Sequence, residues 1–186
     1  MHNNRMMLAA ALLSLAASGA AAQARQDASP ALYLEGGPTL HGGADTQSVA
    51  IGLMLPWAPN PSWQGGARSF YWDLFASQWR APYEGARRSV SQVGVIATWR
   101  YRFDGGASPW FVEGGIGASV MDRLYRADAR SFSTTFQFTE VIGAGYSFGA
   151  QGQHELSLRL QHFSNAGIRK PNPGENFVRL RYAYRF

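Results

Sequence analysis

The stretch GQHELSLRLQHFSNAGIRKPNPGENFVRLRYAYRF, residues 152–186, decides the fold. It reads as two β-strands joined by a loop rich in Gly, Pro and Asn. In the first strand apolar and polar residues alternate. Leu156, Leu158 and Leu160 share one face; Glu155, Ser157, Arg159 and Gln161 share the other. The leucine parity continues onto His162 and then Ser164, so an imidazole and a hydroxyl lie two apart at the end of an apolar face. The second strand alternates likewise, with Val178, Leu180, Tyr182, Tyr184 and Phe186 opposite Arg179 and Arg181.

The same alternation runs upstream. Eight strand-like segments follow the leader, at about 31–41, 46–57, 67–79, 90–103, 109–121, 134–148, 152–164 and 175–186, each long enough to cross an outer membrane at a tilt. One face carries Leu32, Leu34, Val49, Ile51, Val93, Trp99, Trp110, Ile116, Phe136, Phe138 and Ile142. The other carries Glu35, Asp73, Arg100, Arg102, Glu113, Arg159, Arg179 and Arg181. Periodicity alone also suits a soluble sandwich with its apolar face inside. Three features favour the membrane: aromatic residues gather at strand ends, the strands exceed the usual soluble length, and the chain closes on alternate aromatics up to Phe186. The expected fold is all-β, an eight-stranded antiparallel transmembrane β-barrel. Its lumen is packed with polar side chains and leaves no water-filled pore.

The first residues resemble a secretion signal: Arg5, an apolar run from Met6 to Ala17, and small residues before a cut after Ala22, or after Ala24. Residues 1–22 are thus read as a leader and 23–186 as one barrel domain. The chain has no cysteine, which excludes disulfides, thiolate nucleophiles and Cys-ligated metals. No His, Asp or Glu cluster has metal spacing, so no metal or cofactor is expected. Net charge is +5, carried almost wholly by arginine, whose planar fork suits phosphate. The partner expected is lipopolysaccharide in the outer membrane rather than nucleic acid, and a homodimer is compatible with the sequence.

With both termini periplasmic, the outer loops fall near 42–45, 80–89, 122–133 and 165–174. Arg123, Arg126 and Arg130 lie there and are candidates for contact with lipid phosphates. A tilted strand climbs about 2.5 Å per residue, so ten residues beyond Gly152 span about 25 Å, the height of the apolar band. His162 and Ser164 would therefore emerge on the outer wall at the outer-leaflet boundary, where acyl esters of lipid A leave the sugar. An ester hydrolase needs a hydroxyl, a base and a group to orient the base. His41 and His154 share no face and height with a serine and an acid.

The run His162-Phe163-Ser164-Asn165-Ala166-Gly167-Ile168, followed by Pro171-Asn172 and Gly174, resembles the outer-membrane lipid A 3-O-deacylase family. Phe111 to Gly117 and Ile142 to Gly145 are similar to its fifth and sixth strands. The resemblance implies hydrolysis of the ester at position 3 of lipid A, without a metal. Ser164 would be the nucleophile and His162 the general base. Asn165, Gly167 and Asn172 would line the oxyanion site, and Phe138 would flank the acyl groove.

The orienting group is where this sequence departs from the family. In some members the acid occupies the position of Asn176. Parity turns Asn176 outward and Glu175 inward, while Glu140 shares the outward face of Phe138 and would lie beside His162 across the sheet. We favour Glu175, on the expectation that the ladder is irregular just after Gly174; Glu140 and Asn176 are the alternatives. The competing function is a non-enzymatic lipopolysaccharide-binding barrel, adhesin-like or structural. A soluble barrel holding a small lipid in an apolar lumen is a third.

Overall fold

The computed structural model describes residues 27–40, 46–57 and 66–186. Residues 1–22, read from sequence as a leader, and His41 lie outside the described residues. Eight antiparallel strands form a closed barrel in chain order: β1 (Ala31–Pro38), β2 (Gln47–Pro56), β3 (Arg68–Tyr83), β4 (Ala86–Arg102), β5 (Trp110–Met121), β6 (Phe136–Phe148), β7 (His154–Ser164) and β8 (Glu175–Arg185). Closure is by β1 on β8, with Leu34 opposite Tyr182. No sheet edge is left unpaired.

The alternation places the side chains as expected. Leu34, Val49, Ile51, Val93, Ile116, Ile142, Leu158 and Leu180 face outward and are exposed on the wall. Such a girdled apolar surface would be a liability in water and suits a hydrocarbon surround. Inside, charge is paired. Glu35 accepts hydrogen bonds from Arg159, Arg179 and Arg181, and Asp73 from Arg159 and Arg181. Nearer the chain termini Arg100 bridges Glu113 and Glu155, and Arg102 reaches Asp27. Glycines make room for lumenal rings: a Cβ on Gly145 would come 2.3 Å from the Phe111 ring, and one on Gly94 2.4 Å from that of Phe75.

The barrel differs from the sequence-based expectation in two places. The lumen is not polar throughout. Its outer end is filled by an aromatic cluster in which the Trp79 ring lies 4.9 Å from Phe163, 4.6 Å from Phe177 and 5.2 Å from Tyr125. Phe163 and Phe177 follow the inward parity of Arg159 and Arg179, and Tyr125 and Phe132 fold in from an outer loop. The second correction concerns residues 80–89, which are mostly strand. The β3–β4 ladder continues through Arg80↔Ser89 and Pro82↔Arg87, and only Glu84 and Gly85 turn, with φ of 52° and 76°. That pair of positive φ values suits a tight hairpin turn that keeps the strand twist. The charges of Arg80, Arg87 and Arg88 suggest a solvated loop, but they sit on a hairpin that extends the wall.

Candidate active site

β7 carries His162 and Ser164 on the outer wall, both half-buried, at the end remote from the chain termini. Two residues apart on one face of a strand, their Cα atoms are about 6.6 Å apart, within reach of an imidazole swung along the strand. β8 lies on one side and β6 on the other. His162 is opposite Asn176 and Glu140; Ser164 is opposite Phe138.

Asn176 makes the decisive contact. Its Oδ1 accepts a hydrogen bond from Nδ1–H of His162 at 2.6 Å. This fixes the tautomer that leaves Nε2 with its lone pair. Beneath the ring lies Gly174, with φ of 67°, where an added Cβ would come 2.6 Å from Cε1 of His162. A bare backbone here is what lets the imidazole lie down beside the strand entry.

The acid favoured from sequence is not brought to the histidine. Glu175 is buried and turned into the lumen, where it accepts a hydrogen bond from Tyr125 Oη at 3.0 Å. Its pairing with Phe163 is regular, and so is that of Asn176 with His162, so the ladder has no irregularity to swing Glu175 outward. Burial, and next the carboxylate of Glu175, push the Tyr125 phenol well above its ordinary pKa, which keeps it a donor. Glu140 is outward and exposed beside His162, with Ile116 as its other cross-strand neighbour.

The loop after Ser164 folds around Asn165, whose side chain is buried. Its Nδ2 donates to Arg169 O at 2.8 Å, and to Ser133 Oγ and Thr134 Oγ1 at 3.2 Å each. Its Oδ1 accepts from Gly167 N–H at 3.0 Å, and its own N–H donates to Asn172 Oδ1 at 3.0 Å. Thus the Asn165 side chain and the Gly167 amide are engaged within the loop. Asn172, held by its oxygen end, has amide protons to offer a third group. The N–H of Ala166, a residue with φ of 53°, lies 3.4 Å from Ser164 Oγ. Phe138 is exposed beside Ser164, in edge-to-face contact with Phe136 at 5.0 Å.

The three loop arginines separate. Arg123 is exposed and pairs with its neighbour Asp122 at 3.0 Å. Arg130 donates to the carbonyls of Gly174 at 2.8 Å and Pro173 at 3.3 Å, tying its own loop to the one under His162. Arg126 is exposed and lines a cavity with Arg169 and Lys170. The tie made by Arg130 carries no signal that sequence reasoning could assign, because it depends on how two loops meet, whereas the Gly174 seat lies within the β7–β8 connection.

A hydroxyl and an oriented imidazole on the wall of a closed eight-stranded barrel are a specific combination. A model of a family described as lipid A 3-O-deacylase (PagL) matches residues 46–185. The chain belongs to the lipid A 3-O-deacylase family. It is 32% identical to the lipid A deacylase PagL of Bordetella bronchiseptica, over 98% of this chain and 97% of that one. It is 34% identical to the PagL of Pseudomonas aeruginosa, over 75% of this chain and 80% of that one. The crystal structure of the outer membrane enzyme PagL superposes with a TM-score of 0.66 at 26% identity, covering 84% of this chain and 99% of the other. Family membership thus extends over β2 to β8, which carry the whole site.

Proposed function

We propose that this deacylase-family chain resides in the outer membrane and hydrolyses the 3-O-linked acyl ester of lipid A on its outer wall, at the boundary of the outer leaflet. Ser164 is the nucleophile, His162 the general base and Asn176 the group that orients it. The observation that carries this reading is the 2.6 Å contact from His162 Nδ1 to Asn176 Oδ1, on the same outward face as Ser164. With Nδ1–H engaged, Nε2 takes the Ser164 proton as Oγ attacks the ester carbonyl carbon. The tetrahedral intermediate collapses, the C–O bond to the sugar breaks, and the sugar 3-hydroxyl leaves with the proton carried by Nε2. Water activated by His162 then cleaves the acyl-serine and frees the fatty acid.

The oxyanion faces the loop after Ser164. The amide protons of Asn172 and the N–H of Ala166 are the donors nearest to hand, and a donor of this kind is worth about 3 kcal/mol in the transition state. Asn165 and Gly167 serve by holding the loop in shape. Phe138, paired across the sheet with Ser164, flanks the acyl chain, which stays in hydrocarbon throughout. Arg123 and Arg130 are already engaged with Asp122 and with the loop carbonyls, which points away from them as the principal substrate contacts.

A long-chain alkyl sulfonyl fluoride tests the nucleophile in detergent micelles. The expected adduct is on the peptide containing Ser164, and it should be absent from His162→Ala. An adduct on a different serine, with activity lost, would overturn the assignment.

A further inference from the structure

We infer that the outer loops hold a phosphate-binding subsite for the glycolipid, formed by Arg126, Arg169 and Lys170 around a cavity of about 350 Å³. The inference rests on the deacylase reading above and deepens it. The cavity lies where three outer segments meet. Tyr83 comes from the β3–β4 hairpin, Leu124 to Ser133 from the β5–β6 loop, and Arg169 to Pro171 from the β7–β8 loop. Its walls are fixed by hydrogen bonds. Arg126 is bridged to Ser131, Ala127 and Arg130 exchange backbone hydrogen bonds, and Ser133 Oγ donates to Arg169 O at 2.8 Å.

The lining contains three cations, the hydroxyls of Tyr83, Ser131 and Ser133, and no carboxylate. In the β5–β6 loop, Asp128 accepts from Glu84 N–H on the hairpin at 2.8 Å and Asp122 pairs with Arg123 at 3.0 Å. Three like charges gathered around one concavity repel one another unless an anion enters. A phosphate monoester accepts from all of them and from the hydroxyls of Tyr83 and Ser131, while the Ser133 proton stays on the Arg169 carbonyl. The subsite is coupled to the reaction centre by a single residue. Asn165 follows Ser164 directly and donates to the carbonyl of Arg169. A sugar phosphate seated here would hold the same sugar's ester over Ser164.

Contacts remote from the ester bind ground and transition states alike, so their loss raises KM and leaves kcat. The test compares wild type with Arg126→Gln/Arg169→Gln/Lys170→Gln on bisphosphorylated lipid A and on lipid A stripped of phosphate. Wild type should show a KM about tenfold lower for the phosphorylated form, and the triple variant the same high KM for both. A variant that still prefers the phosphorylated form as wild type does would overturn the subsite. If the triple variant fails to insert, Arg126→Gln alone should lose part of the preference; no loss there counts against the subsite equally.

A binding arm separates this inference from the reaction itself. Detergent-solubilised Ser164→Ala should bind phosphorylated lipid A more tightly than the stripped form, and lose that preference when the three cations are replaced. This result would support the subsite even if wild type hydrolysed nothing. Inorganic phosphate binding as tightly as the phosphorylated lipid would contradict it, by marking a site for free anions instead of a glycolipid headgroup.

Discussion

His162 faces a neutral partner where a serine hydrolase more often uses an anion. Asn176 Oδ1 can hold the Nδ1–H tautomer, but it stabilises the developing imidazolium less than a carboxylate would. The two neighbouring acids therefore make sharp comparisons. Asn176→Ala should lower kcat about a hundredfold, since an unoriented base loses both tautomer and position. Glu175→Gln should stay within about threefold of wild type, because a glutamine oxygen can still accept from Tyr125. The reverse order would restore Glu175 as the orienting acid. Asn176→Asp supplies the anion: a negative charge beside an imidazole favours its protonated form and raises its pKa. The base must be neutral to act, so the acid limb of the kcat/KM profile should move to higher pH. A limb that does not move would mean that the 176 side chain does not touch the base. At this scale the outward faces of His162 and Ser164 were legible, because parity is rigid in a strand. Glu175 does not reach the imidazole, because β8 pairs regularly from Glu175 onward and has no irregular strand entry to turn it outward.

Among the elements, the β7–β8 loop does most to shape the site, and it is held from outside itself. Asn165 anchors its first half to Ser133 and Thr134, and Arg130 grips its second half at Gly174. Arg130→Ala should therefore lower kcat about tenfold with little change in KM, since loosening Gly174 shifts the imidazole above it. A raised KM with kcat unchanged would instead make Arg130 a substrate contact, as its charge suggested from sequence. Strand positions were readable because hydrophobic alternation reports which face is buried. Loop contacts were not, because Arg130 and Gly174 are 44 residues apart and nothing periodic links them. The β3–β4 hairpin shows the intermediate case. Its outer half alternates properly, with Trp79 and Ala81 buried and Arg80 exposed, yet three arginines within nine residues look like a loop.

The whole molecule separates what holds it up from what reacts. Ion pairs and an aromatic cluster fill the lumen, and the proposed Ser164–His162 chemistry lies on the outer wall. Glu35 sits at the centre of the ionic layer, taking hydrogen bonds from three arginines. Breaking a buried network by removing one partner costs about 3–5 kcal/mol, because it strands the remaining charges. Glu35→Ala should accordingly lower the urea midpoint of the micelle-bound barrel while the surviving folded fraction keeps kcat within about twofold. A large loss of kcat at unchanged stability would mean that the lumen takes part in the reaction. The central claim, an esterase on the outer wall worked by Ser164, is tested most directly by mass spectrometry of lipid A from outer membranes carrying either wild type or Ser164→Ala, each shown to be folded by heat-modifiable migration. Wild type should yield lipid A lacking its 3-O-linked acyl chain and Ser164→Ala intact lipid A; conversion by the folded Ser164→Ala barrel at a near wild-type rate would overturn the role of Ser164.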